Sequence, residues 1–347
     1  MFGLKTIAFG RVLALAISFA ALAPRDVDAA EAAAPSVAIH FTFDRPIDAS
    51  MAPFFLATKD GKFAAEHLNV SFNTVAGSPE ALARVAKGDS ELALVDINEL
   101  IRFRDKDDAA PVKAVFVLFN RAPYAVVARR SRGVHLLPDL DGKTVGVADG
   151  DLSMRLWPAL AQQNGINTQH VKFRKISAAV REPILSAGQV DAVAGFSYLS
   201  AVNLRDRGVP GGDLVVLRYA DYGCQAYGFA VAANPAFAAA KPDAMKGFVR
   251  ALIAGINATV KQPALAAEEA ASHIDDGDRE LERLRTVLVD NILTDEVRRN
   301  GLGGIDPARL ERSIDQIAQD FKFRKKPAAG DIFDDRFLPP VEGRLIN

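Results

Sequence analysis

The 347-residue sequence predicts an α/β protein of two similar lobes, the second inserted in the first, with a helical C-terminal segment. Two observations carry that expectation. A local pattern occurs twice, with its glycines one hundred positions apart: residues 82–95 and 184–194 each read as the last turns of a helix, a glycine stop (Gly88, Gly188), an acid three residues on (Glu91, Asp191), then a short apolar strand. Glycine accepts the left-handed conformation that ends a helix, and an apolar run of that length suits a strand buried on both faces. The second observation is the alternation of apolar runs with helical stretches, the order of a largely parallel sheet. Two such lobes enclose a cleft, a favoured place for a small molecule.

The elements follow in order. Strands are expected at 37–43, 68–72, 92–95 and 112–118, separated by helices that begin at Pro53 and at Ser78-Pro79. Ser78 is a good N-cap with proline at the first helical position. A strand at 124–128, a short turn and a strand within 137–147, a helix over 153–164, a strand at 171–175, the second repeat unit and a strand at 213–217 build the second lobe. Residues 124–128 and 227–232 are expected to be the crossovers. That assigns 36–123 with 233–347 to the first lobe and 129–226 to the second. Helices at 242–261, 264–273, 279–291, 295–300 and 307–321 pack on the first lobe through residues such as Phe248, Leu252 and Ile256. The tail from Lys325 is rich in proline and aspartate and is expected to run over the surface.

The ends and the composition set bounds. Lys5 and Arg11, an apolar run over 12–22 and the small residues around Ala29 have the order of a secretory signal, with cleavage expected before Ala30. The run is too short to span a bilayer comfortably, so an exported protein is expected. Cys224 is the sole cysteine, which excludes an intrachain disulfide and leaves none near the signal for a lipid anchor. With 42 basic and 43 acidic residues, no nucleic acid or anionic membrane is implied as a partner. A monomer is the default.

The segments Pro53-Phe-Phe-Leu-Ala with Gly61-Lys-Phe, Gly77-Ser-Pro, Asp139-Leu-Asp-Gly-Lys-Thr-Val-Gly-Val, Gly188-Gln-Val-Asp-Ala-Val and Asp221-Tyr-Gly, in that order, resemble one family. It is the nitrate/sulfonate/taurine-type solute-binding proteins of bacterial ABC importers, which includes binders of aminopyrimidine precursors of thiamine. The resemblance covers nearly all of the chain after the signal. It implies a type II periplasmic-binding-protein fold, ligand held between closing lobes, and delivery to a membrane permease driven by an ATPase.

Ligands of open α/β sheets bind beyond the carboxyl ends of the strands. That selects the loop through Asp44, Asp48 and Ser50, then Gly77 and Ser78, Asp96 and Asn98, and Asn120 in the first lobe. Ser78 heads a helix, where free N–H groups favour an anion or a polar oxygen. Asp96 departs from the small neutral residue that the family usually has at this strand end. It either accepts from a ligand N–H or cation, or pairs with an arginine such as Arg102 or Arg121 or with a nearby backbone N–H. The second lobe offers Asp151 and Ser153 after Asp149-Gly150, then Arg181, Phe196, Tyr198, Asp221 and Tyr222. Arg181 has the fork that grips a carboxylate, sulfonate or phosphate, and the aromatics suit a flat ring. Carboxylates with aromatics favour a planar, nitrogen-rich ligand such as an aminopyrimidine over taurine, an alkanesulfonate or nitrate. Presentation of ligand to a membrane receptor is the alternative to transport.

Catalysis is not expected. There is no G-x-S-x-G elbow, and His40, His67, His135, His170 and His273 have no paired metal spacing. Related fungal sequences that make the thiamine pyrimidine use a cysteine-rich segment and iron, which one cysteine cannot supply. Asp275-Asp-Gly-Asp278 lacks the closing acid of an EF-hand. No metal or organic cofactor is implied.

Overall fold

A computed structural model describes residues 36–106, 109–274 and 279–346. The signal-like segment and Asp275–Asp278 lie outside the described residues. The chain builds β1 (Val37–Phe43), β2 (Leu68–Thr74), β3 (Leu92–Asp96) and β4 (Lys113–Val117), then β5 (Tyr124–Arg129), β6 (Thr144–Ala148), β7 (Lys172–Ile176), β8 (Ala192–Phe196) and β9 (Leu214–Arg218), then β10 (Phe229–Ala233). They form two five-stranded sheets, ordered β2-β1-β3-β10-β4 and β7-β6-β8-β5-β9. Both are mixed: β1 runs parallel to β2 and β3, whereas β10 is antiparallel to β3 and β4, and β5 is antiparallel to β8 and β9.

The repeat unit has one geometry in both sheets. Gly88 (φ +85°) and Gly188 (φ +70°) end their helices in the left-handed region. The acid that follows then clamps the neighbouring parallel strand. Glu91 donates its N–H to the His40 carbonyl (3.1 Å) and accepts the His40 N–H on its carboxylate (2.6 Å). Asp191 does the same to Thr144, with both bonds at 2.9 Å. The acid thus continues the ladder at the entry of each strand and fixes its register.

The expected crossovers need correction. Tyr124–Ala128 is the body of β5, paired on both sides by β8 and β9, and most of 227–232 is β10, paired on both sides by β3 and β4. Their residues are buried apolar runs, so the ladder takes them in. The chain crosses between the sheets just before β5 and just before β10. Gly228 bonds there to the Phe119 carbonyl (2.8 Å), which ties the two crossings together.

Helices Ala52–Lys59 and Pro242–Lys261 cover one face of the first sheet. Phe248, Leu252 and Ile256 are fully buried there, and the Phe248 ring stacks on Phe41 with centroids 5.6 Å apart. The tail is not a loose surface segment. Asp334 donates its N–H to the Ala114 carbonyl (2.9 Å) and Leu302 to that of Arg344 (2.8 Å), so the chain end covers the open edge of β4. An unpaired edge strand invites adventitious pairing, and covering it removes that hazard. Among the described residues no helix is long and apolar enough to cross a membrane.

Candidate functional site

A cavity of about 370 Å³ lies between the sheets. The first sheet contributes Asp44 and Arg45 after β1, Ala76–Pro79 after β2, Glu99, and Phe229 at the start of β10. The second contributes Ala148–Leu152 after β6, Arg155, Ala178 and Arg181 after β7, and Gly195 and Phe196 at the end of β8. All but Phe229 sit at or beyond strand carboxyl ends, where loops converge and helix N-termini point.

One motif is built twice, once on each side. Asp44 accepts from the Ser78 hydroxyl on one oxygen and from Arg45 Nη1 (2.6 Å) on the other. Asp151 accepts from the Ser153 hydroxyl (2.6 Å) and N–H (3.0 Å) on one oxygen and from Arg181 Nη2 (3.3 Å) on the other. Each arginine is thereby fixed at the cavity wall, with 13% of its side chain exposed. The Arg45 guanidinium lies 3.6 Å from the centre of the Phe229 ring, a cation–π contact. Its Nη2 donates to Ser50 Oγ (2.8 Å). Arg181 lies flat against Gly195, where a side chain would collide with it, and its buried Nε has no hydrogen-bond partner. Burial pushes the Asp44 carboxyl above its ordinary range, and Arg45 and Ser78 pull it back only in part.

Phe196 bridges the sides, edge-on to Phe229 at 5.6 Å and stacked on Tyr198 at 6.0 Å. Four acids (Asp44, Glu99, Asp149, Asp151) and three arginines (Arg45, Arg155, Arg181) line the space. The charges nearly cancel, so the site offers donors and acceptors together without the strong positive field that would hold a bare anion.

The family model described as NMT1/THI5 like matches residues 48–266. The chain belongs to this family. It is 27% identical over 243 residues to the riboflavin-binding protein RibY of Chloroflexus aurantiacus, a match covering 67% of this chain and 66% of that protein. It is 24% identical over 219 residues to the 4-amino-5-hydroxymethyl-2-methylpyrimidine phosphate synthase of Legionella pneumophila, covering 62% and 67%. The chain thus spans about two thirds of the length of these curated relatives. The periplasmic aliphatic sulphonate binding protein of Escherichia coli superposes with a TM-score of 0.67 at 14% identity, over 89% of this chain and 92% of that one. The periplasmic nitrate-binding protein of Synechocystis PCC 6803 gives 0.61 at 11%, over 89% and 91%. At such identities the likeness shows the fold, that of a periplasmic binding protein.

In this NMT1/THI5-like chain the cavity brings together Gly77, Ser78, Asp151, Arg181 and Phe196 of the sequence candidates. The others lie elsewhere. Asp48 and Asp96 are buried struts between the lobes. Asp48 accepts from the Tyr198 hydroxyl (3.0 Å) and from the Ser50 N–H (2.8 Å). Asp96 accepts from the Tyr124 hydroxyl and from the Asn98 N–H (2.8 Å) and side-chain amide (2.9 Å). Neither Arg102 nor Arg121 reaches Asp96. Its burial raises the carboxyl to about 7, although Tyr124 and Asn98 oppose the shift. Ser50, Asn98, Tyr198 and Ser153 hold these struts and the Asp151 pair without lining the cavity.

Asn120 is buried at the crossing and accepts from Thr294 (2.7 Å) and Arg309 (3.1 Å). Asp221 is exposed and faces Arg218 at 3.8 Å, and the Tyr222 carbonyl accepts from Asn164. Both belong to a turn that Gly223 closes at φ +92°, away from the cleft. Arg45, Glu99, Arg155 and Phe229 are wall residues that the sequence did not single out. For Arg45 the available signal is the acid-arginine pair directly after a buried strand. Among the described residues no group of three or more His, Cys, Asp or Glu is placed to hold a metal.

Proposed function

We propose that this protein is the exported solute-binding component of an ABC importer and captures a planar nitrogen heterocycle between its two lobes. The observation that carries this is the doubled serine-aspartate-arginine arrangement, Ser78-Asp44-Arg45 facing Ser153-Asp151-Arg181. Each unit presents a guanidinium fork beside a carboxylate, which complements the alternating donors and acceptors of an aminopyrimidine edge. Phe196, partly exposed at the wall, supplies an apolar face for the ring. The near-neutral wall favours such a ligand over nitrate. Two relatives carry heterocycles in their names, a flavin in one and an aminopyrimidine in the other. Our lead ligand is the aminopyrimidine precursor of thiamine.

In this reading the protein binds without turnover, as in the sulphonate- and nitrate-binding proteins whose fold this chain shares. Cys224 is buried, and burial pushes its thiol up to about 11, far from a reactive thiolate. The lobes close by bending at the two crossings, and the closed form is what a membrane permease recognises. The protein works in the periplasm as a monomer.

A second reading, a taurine or alkanesulfonate binder, draws on the helix Ser78–Lys87, whose N-terminus opens on the cavity without a side-chain cap. A thermal-shift screen with 4-amino-5-hydroxymethyl-2-methylpyrimidine, riboflavin, taurine, alkanesulfonates and nitrate separates the two. Ligand at a thousandfold excess over its Kd stabilises by about 4 kcal/mol. A shift with the heterocycles supports the first reading, and a shift with the sulfonates alone replaces it by the second.

A further inference from the structure

A second cavity, of about 480 Å³, adjoins the cleft and shares Pro79, Glu99 and Arg155 with it. Its charge is different. Among the described residues five basic side chains and two acids line it, and one of those acids is already engaged. Asp105 accepts from the backbone N–H groups of Arg324 and Lys325 (both 2.9 Å) and pairs with the Arg324 guanidinium (3.8 Å). Among the described lining residues Arg102, Lys106, Arg155 and Lys322 remain, opposed by Glu99.

The buried groups in this wall are incompletely bonded. Arg102 is 8% exposed, and its Nη2 donates to the Arg155 carbonyl (3.2 Å), but its Nε has no hydrogen-bond partner. Its guanidinium lies 4.7 Å from the centre of the Phe321 ring, which fixes the plane of the fork. Glu99 Oε1 also lacks a hydrogen bond and stands 3.7 Å from Arg155 Nε and 3.9 Å from Arg102 Nε. A buried cationic donor left without an acceptor is costly, and an anionic oxygen is the partner that satisfies it best. The surplus of positive charge calls for more than one negative charge.

We propose that this cavity is a subsite for a doubly charged oxyanion of the phosphate-monoester class, carried on a short chain by the ligand whose ring lies in the cleft. The link to a ring rests on the function proposed above; the oxyanion site does not. Glu99 and Arg155, common to both cavities, stand where the chain passes from ring to phosphate.

Calorimetric titration of the whole protein with 4-amino-5-hydroxymethyl-2-methylpyrimidine, its monophosphate and inorganic phosphate tests this. The monophosphate is expected to bind at least about tenfold more tightly than the alcohol, a difference of about 1.4 kcal/mol. In the double variant Lys106→Gln/Lys322→Gln that preference and the binding of inorganic phosphate disappear while affinity for the alcohol is kept. Both lysines are exposed, so folding is preserved. Arg102→Gln gives the same loss through the buried donor, and its melting curve checks its fold. Equal affinity for alcohol and monophosphate, with no binding of inorganic phosphate, overturns the proposal and leaves the ring assignment standing. Lysine-dependent binding of inorganic phosphate without binding of either pyrimidine keeps the oxyanion site and removes the ring.

Discussion

Asp96 ties the stability of this protein to pH in a direction opposite to that of an ordinary paired carboxylate. Its carboxyl is fully buried and titrates at about 7 in the folded chain, against an ordinary value of 3.8. Between those values the folded state holds a proton that the unfolded state has released. The folded state therefore binds more protons, and stability falls as pH rises. The contribution is fully present below pH 4 and is lost as pH climbs through 7. At about 1.4 kcal/mol per pH unit, a displacement of roughly 3 amounts to about 4 kcal/mol. Asp96→Asn abolishes the titration and keeps the geometry. The amide oxygen accepts from Asn98, and the amide nitrogen donates to the Tyr124 hydroxyl. Urea unfolding followed by circular dichroism at pH 5 and pH 8 measures the effect. Relative to the wild type, the variant is expected to be more stable at pH 8 than at pH 5 by a few kcal/mol. Parallel pH profiles for the two proteins would refute the assignment of a proton to buried Asp96.

Three further outcomes are expected. In Gly195→Ala the new Cβ would lie 2.7 Å from Arg181 Nη1, so the guanidinium must leave the wall. Calorimetry should then show ligand affinity down about tenfold, with little change in melting temperature, and full affinity would mean that Arg181 does not touch ligand. Gly228→Ala places a Cβ 2.8 Å from that of Phe119 and 3.1 Å from Ala122 Cα, between the two crossings. Overpacking of this kind costs about 1–3 kcal/mol, and an unmoved urea midpoint would contradict that packing. Small-angle scattering should show compaction on ligand addition if the lobes close by a hinge; an unchanged radius of gyration argues against closure.

The lobes were legible because their signals are local. A glycine stop, an acid three residues later and four or five apolar residues specify the helix end, the strand entry and its register without distant information. Helix Pro242–Lys261 and helix Asp295–Asn300 were likewise bounded by prolines, glycines and acids within their own neighbourhood. Half-legible were the cleft residues. Position beyond a strand end identified Ser78, Asp151 and Arg181, but it does not tell a wall residue from a strut behind the wall. Asp48 meets Tyr198, and Asp96 meets Tyr124, across the lobes. Nothing near either aspartate announces such a distant partner. Arg45 escaped notice because an arginine in a loop resembles any solvated one until Phe229, brought from far along the chain, lies under its guanidinium. The crossovers are not legible in the sequence for a related reason. A buried apolar strand reads the same whether it links two sheets or sits in the middle of one.

The facing serine-aspartate-arginine units are tested most directly by titrating wild type and Arg181→Ala calorimetrically with 4-amino-5-hydroxymethyl-2-methylpyrimidine. A charge-assisted hydrogen bond is worth about 1.5–3 kcal/mol, so the variant should bind roughly ten- to a hundredfold more weakly, and its melting temperature should fall as well, because buried Asp151 loses its cationic partner. Equal affinity in the two proteins, or saturable binding of an alkanesulfonate and none of the pyrimidine, would contradict a cleft built for a planar nitrogen heterocycle.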